Sequence, residues 1–206
     1  MKVYEFAGFP NPARVRIALA EKGMSDKVDF VSVNVPEGEH RKPDFLKKNP
    51  SGTVPVLETV DGTVISECTA ITEYLDHIDG RPFLTGETPR QRGLIHMMQR
   101  RAEADLLDAV GAYFHHATPG LGPDIETVQI ADWGNHQKGK AINGMRYFNS
   151  VLEKSDYVAG EAFSMADITV YAGLSFAGFA NIDIPEECTA LKKWHERVSS
   201  RPSIAA

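Results

Sequence analysis

The chain has 206 residues, 42% of them hydrophobic and 24% charged, with 22 Lys and Arg against 28 Asp and Glu and a formal net charge of −6. Such proportions belong to a globular protein long enough to bury one large core or two smaller ones. The mildly acidic balance gives no bulk positive charge for a nucleic acid or an anionic membrane, so neither is expected as a partner. Residues 2–6 (KVYEF) read as a short strand that Gly8, Phe9 and Pro10 interrupt. Asn11-Pro12 is expected to open a helix, with Asn11 as N-cap and the proline at the first helical position. Val15, Ile17, Ala18 and Leu19 give that helix an apolar face, and Gly23 is placed to end it.

Residues 28–33 (VDFVSV) alternate as a second strand, and a polar stretch over 36–42 leads to a short helical segment over 43–48. NPSG at 49–52 is a turn, and Asp61-Gly62 joins strands at 54–57 and 63–65 into a hairpin. Helical periodicity returns over 66–77 through Ala70, Ile71, Tyr74 and Leu75. This order of elements implies a mixed sheet covered by helices. Residues 79–89 (DGRPFLTGETP) read as a linker. Beyond them hairpin punctuation stops: 90–117 and 125–152 read as long helices, 164–179 and 188–200 as shorter ones. The expected fold is therefore an α/β domain over 1–78 and an all-α helical bundle over 90–206.

Two cysteines, Cys68 and Cys188, are too few for a secreted disulfide scaffold and point to a cytoplasmic setting. The N-terminal residues lack the apolar core expected of a signal peptide, and no window approaches the roughly 18 apolar residues of a membrane span.

Four stretches, ARVRIALAEKG (13–23), NPSGTVPVLE (49–58), SECTAITEYL (66–75) and FSMADITV (163–170), resemble in order and spacing the cytosolic glutathione transferase family. The resemblance covers essentially the whole chain. It implies a thioredoxin-like N-terminal domain that binds glutathione as co-substrate, a helical C-terminal domain, no metal, and assembly as a homodimer. The implied activity is attack of the glutathione thiolate on a hydrophobic electrophilic small molecule, in detoxification. Glutathione-dependent disulfide or peroxide reduction, and ligand binding without catalysis, stand as alternatives.

The chemistry beneath these matches can be read residue by residue. An extended peptide can be held by backbone bonds to a strand edge. Val54-Pro55, with Thr53 before it, supplies such an edge if the bond is cis; a trans proline entering an edge strand is the other reading. Ser66-Glu67-Cys68 stands at a helix N-terminus, which favours an anion. The resemblance implies that Glu67 faces the γ-glutamyl ammonium and that the Cys68 amide binds the carboxylate, Cys68 standing where the family has Ser. Otherwise Glu67 only stabilises the first helical turn. The resemblance also implies basic residues against the glycyl carboxylate, here His40 and Arg41 with Lys42 behind them.

Family enzymes stabilise the thiolate with a hydroxyl or thiol near the end of the first strand. Here Phe9 stands at that position and cannot donate a hydrogen bond, while Tyr4 lies inside the strand. Asn11 resembles the Asn that some bacterial and fungal members use against the thiol, so its amide is either the catalytic donor or merely an N-cap. In the helical half, Ser164 and Asp167 form an expected capping box. Tyr113 and Phe114 are implied to line the electrophile pocket, with Trp133 and His136 bordering it. Asp105 is implied to reach the partner subunit's glutathione. Adjacent His115 and His116 do not share a helix face, so no metal site is expected there.

Overall fold

Alternation along KVYE sends Val3 and Glu5 to one face of a strand and Tyr4 to the other, and β1 (Lys2–Glu5) takes that form. It pairs in parallel with β2 (Asp29–Ser32), Val3 opposite Phe30, and antiparallel with β3 (Val56–Glu58), Val3 opposite Leu57. β4 (Val64–Ser66) completes the hairpin with β3, giving a mixed sheet of order β2-β1-β3-β4. The computed structural model describes residues 1–205; Ala206, the last residue of the expected helical domain, lies outside them. The chain divides into two units, Met1–Pro82 and a second beginning at Phe83.

Helices cover both faces of the sheet in the first unit. On one face Val3 and Leu57 pack with Val15 and Leu19 of α1 (Pro10–Glu21) and with Ile71 and Leu75 of α3 (Cys68–His77), all fully buried. On the other, Val33, Val56 and Phe45 of the one-turn α2 (Pro43–Leu46) form a smaller cluster beside Tyr4 and Val54. Val56 and Leu57 are neighbours that serve opposite clusters, so a one-residue slip of β3 would exchange them.

The start of α1 differs from the sequence expectation. The helix begins at Pro10 with Phe9 as N-cap, and Asn11 is its second residue rather than its cap. Both prolines fit because the first helical positions have no intrahelical use for an N–H. The far end follows a Schellman pattern: Gly23 (φ 61°) donates to Ala20 O at 3.0 Å and Met24 to Leu19 O at 2.8 Å. Beside it the Lys22 ammonium, with a side chain 2% exposed, donates to Asp76 O at 3.0 Å and Arg81 O at 2.9 Å. It also lies 3.4 Å from the Asp76 carboxylate, so one buried cation ties the end of α1 to the end of α3.

The second unit is helical. A capping box at Thr88 and Gln91 starts α4 (Pro89–Ala102), which passes through a π turn at Glu103–Leu107 into α5 (Asp108–Ala117). After it come α6 (Ala131–Leu152), α7 (Met165–Phe179), α8 (Thr189–Ser199) and the short α9 (Pro202–Ala205). Two glycines let α6 lie close to its neighbours. A Cβ on Gly134 would sit 2.7 Å from that of Ala117, and one on Gly144 would collide with the Asp105 carbonyl.

α6 starts six residues later than periodicity suggests, because polar side chains hold residues 118–130 in a loop. Glu126 Oε1 accepts from Leu121 N at 2.9 Å and contacts His115 Nδ1 at 2.6 Å. Gln129 Nε2 donates to the carbonyls of His115 and Thr118, both at 2.7 Å, and so satisfies acceptors at the end of α5. The expected capping box at Ser164 and Asp167 is present at the start of α7.

Candidate functional site

The loop before β3 is built around Asn49, a residue that the sequence marked only as part of a turn. Its side chain is buried, and Nδ2 donates to Thr53 O at 2.8 Å and Thr53 Oγ1 at 3.0 Å, while Oδ1 accepts from Ser51 N at 3.2 Å. This clamp delivers the chain into Val54-Pro55, whose peptide bond is cis. Among the described residues, neither the N–H nor the C=O of Val54 takes a backbone hydrogen bond. A strand-like ligand could therefore use both.

The turn also meets the polar segment 38–42. A Cβ on Gly52 would lie 3.2 Å from the His40 carbonyl, and Gly52 itself has φ 59°. His40 is 7% exposed and its Nδ1 has no hydrogen-bond partner. Burial, and after it the neighbouring Arg41 charge, lower its pKa, so the imidazole is neutral at pH 7. It offers one N–H rather than a charge; Arg41 beside it is exposed and carries the cation.

A second cluster forms where two helices begin. Glu67 is the N-cap residue of α3 and adopts φ 71°, ψ 120° without a capping side-chain bond. A non-glycine residue held in that region costs about 1–3 kcal/mol, which the surrounding sheet and helix must impose. The conformation leaves the Glu67 side chain exposed, and Cys68 turns inward as the first residue of α3. Cys68 Sγ donates to Asn11 O at 3.4 Å and lies 3.7 Å from Asn11 Oδ1. The starts of α1 and α3 are thus side by side, bringing Asn11 and Cys68 together. Arg14, one turn along α1, donates from Nη1 to Asn11 Oδ1 at 2.9 Å.

Phe9 packs its ring edge-on against Phe6 with centroids 4.8 Å apart. Tyr4 is committed elsewhere: its hydroxyl donates to Glu58 Oε2 at 2.8 Å, and Lys48 Nζ donates to the same oxygen at 2.7 Å. The Lys48 hydrogen bond first, and that of Tyr4 second, lower the pKa of Glu58.

The remaining expected residues belong to the helical unit. Lys138 Nζ sits 4.9 Å over the Tyr113 ring, and Phe114 meets Phe176 edge-on at 5.3 Å and Phe179 at 5.8 Å. Asp105 lies in the π turn, its Oδ1 3.3 Å from Lys140 Nζ. Trp133 stacks on His136 at 5.9 Å. Among the described residues no group of three or more His, Cys, Asp or Glu side chains could hold a metal ion, and no helix is long and apolar enough to cross a membrane.

Comparison with known proteins identifies the family. Residues 10–78 match the N-terminal domain of glutathione S-transferases, and residues 132–206 match the C-terminal domain. Glutathione S-transferase 2 of Saccharomyces cerevisiae is 59% identical over 204 residues, which are 99% of this chain and 88% of that protein. The crystal structure of Gtt2 from Saccharomyces cerevisiae superposes with a TM-score of 0.98, at 59% identity, over 100% of this chain and 99% of that one. A glutathione S-transferase domain-containing protein from Marinobacter aquaeolei VT8 gives 0.97, also at 59% identity, over 99% and 100%. The chain belongs to the glutathione S-transferase family.

Proposed function

We propose that the protein is an enzyme that conjugates glutathione to electrophilic small molecules, with Asn11 as the group facing the thiolate. The observation that carries the site assignment is the meeting of Asn11 and Cys68 at two adjoining helix starts. Glutathione would lie extended along Val54, its cysteinyl backbone bonded to the Val54 N–H and C=O. The Cys68 amide at the start of α3 would receive the γ-glutamyl carboxylate, with Glu67 opposite the ammonium. At the other end, the His40 N–H and the Arg41 guanidinium would receive the glycyl carboxylate. Thr53 and Pro55 frame the Val54 edge, and Phe9 adds apolar surface.

The thiol loses its proton to solvent, and an Asn11 N–H stabilises the resulting thiolate. The thiolate attacks the electrophilic carbon, a C–S bond forms, and a leaving group such as halide departs with its electron pair. Tyr113 and Phe114 are the proposed apolar surface for the electrophile. The active form is proposed to be a cytoplasmic homodimer in which Asp105 approaches the partner's glutathione.

Calorimetry with glutathione, beside a conjugation assay with an aryl chloride, tests this reading. Saturable binding in the millimolar range or tighter, with enzyme-dependent loss of chloride, is expected. Binding without turnover of the aryl chloride, or of an activated alkene, would leave a binding protein instead. The reductase alternative draws no support from the protein's own thiols, since Cys68 and Cys188 are both buried.

A further inference from the structure

We propose that Arg14 is a positioning residue that fixes which end of the Asn11 amide faces the sulfur; this rests on the reading of Asn11 as the thiolate donor. An asparagine amide has an acceptor end and a donor end of nearly identical shape, and only its partners decide which points where. The group that decides the orientation is Arg14. Its guanidinium, which has no acceptor atom at all, donates from Nη1 to Asn11 Oδ1 at 2.9 Å. A reversed amide would set N–H against N–H. Arg14 is 5% exposed and Asn11 is exposed, so the fixed end is held inside and the two Nδ2–H donors are left at the surface.

The first turn of α1 adds an independent reason why Asn11 is the donor. Its first and third residues, Pro10 and Pro12, have no N–H, and Ala13 N is already bonded to Phe9 O at 3.0 Å. Asn11 supplies the first turn's one remaining backbone N–H. Backbone and side-chain donors of a single residue therefore stand at the positive end of the helix, and Arg14 sets the orientation of the second.

The test is a double-mutant cycle on the pKa of enzyme-bound glutathione, read from thiolate absorbance against pH, with circular dichroism as a check on folding. Asn11→Ala and Arg14→Met should each raise the bound thiol pKa by about one unit, a tenfold loss of thiolate at pH values below both. In the Asn11→Ala background, Arg14→Met should add no further shift. An equal shift in both backgrounds would mean that Arg14 acts by its charge on the sulfur, and would overturn the proposal. If Asn11→Ala raises the pKa and Arg14→Met does not, the positioning role fails while the reading of Asn11 stands; if Asn11→Ala has no effect, both fail. Should Arg14→Met not fold, Asn11→Asp serves instead. It keeps an oxygen toward Arg14 and puts a second oxygen where Nδ2 was, so it should raise the thiol pKa more than Asn11→Ala does. A rise no larger than that of the alanine variant would overturn the proposal.

Discussion

The Asp167 carboxylate accepts the indole N–H of Trp194 at 3.2 Å, joining the start of α7 to the middle of α8. Oδ1 also accepts from Val158 N at 2.9 Å, and Oδ2 from Ser164 N at 3.0 Å and Ser164 Oγ at 2.9 Å. Despite these donors, complete burial pushes its pKa from 3.8 up to about 6. Between those values the folded protein holds a proton that the unfolded chain has released, so this group's contribution is full below pH 3.8 and is lost as pH rises through 6. The gap of about two units corresponds to about 3 kcal/mol. Urea titrations of the wild type and of Asp167→Asn should diverge accordingly: wild-type stability relative to the variant falls by up to that amount from pH 4 to pH 7. A constant difference across this range would contradict the account.

Lys22 makes a second prediction, in the first unit. Its side chain is 2% exposed, and its ammonium serves Asp76, the Asp76 and Arg81 carbonyls, and Asp79. Lys22→Met leaves the buried Asp76 carboxylate without that cation and should lower unfolding free energy by about 3–5 kcal/mol. Chemical denaturation followed by circular dichroism measures it, and a loss under about 1 kcal/mol would show the pair to be dispensable.

Asn149 of α6 stands in for the missing cap of α8. Its Oδ1 accepts from Ala190 N at 3.0 Å and Leu191 N at 3.1 Å, while Cys188, the N-cap residue, makes no side-chain capping bond. Asn149→Ala should cost about 1–2 kcal/mol and speed amide hydrogen exchange at Ala190 and Leu191 first.

Gly144 should resist any side chain, because a Cβ there collides with the Asp105 carbonyl in the π turn. Gly144→Ala, which favours helix by propensity, should nonetheless destabilise by about 1–3 kcal/mol. A gain in melting temperature would contradict this packing.

The mixed sheet and the helical second half were legible in the sequence because period-2 alternation, Asp61-Gly62 and the helical periodicities are local signals. α1 begins two residues earlier than expected, at Pro10 rather than Pro12. Two prolines flank Asn11, and either could have taken the first helical position; the choice of Pro10 frees the Asn11 side chain from capping. The late start of α6 was hidden because Glu126 and Gln129 read as helix formers, whereas their side chains bind groups at the end of α5. Asn49, Arg14 and the left-handed Glu67 escaped the sequence reading for one reason. Each owes its role to a neighbour or backbone conformation fixed only after folding, and none carries a periodic or compositional mark.

The central claim is that the Asn11 amide supplies the hydrogen bond that a family hydroxyl supplies elsewhere. The most direct measurement is kcat for conjugation of an aryl chloride at saturating glutathione, wild type against Asn11→Ala. A fall of about 10-fold or more in kcat, with glutathione affinity nearly preserved, is predicted. Unchanged kcat would contradict it.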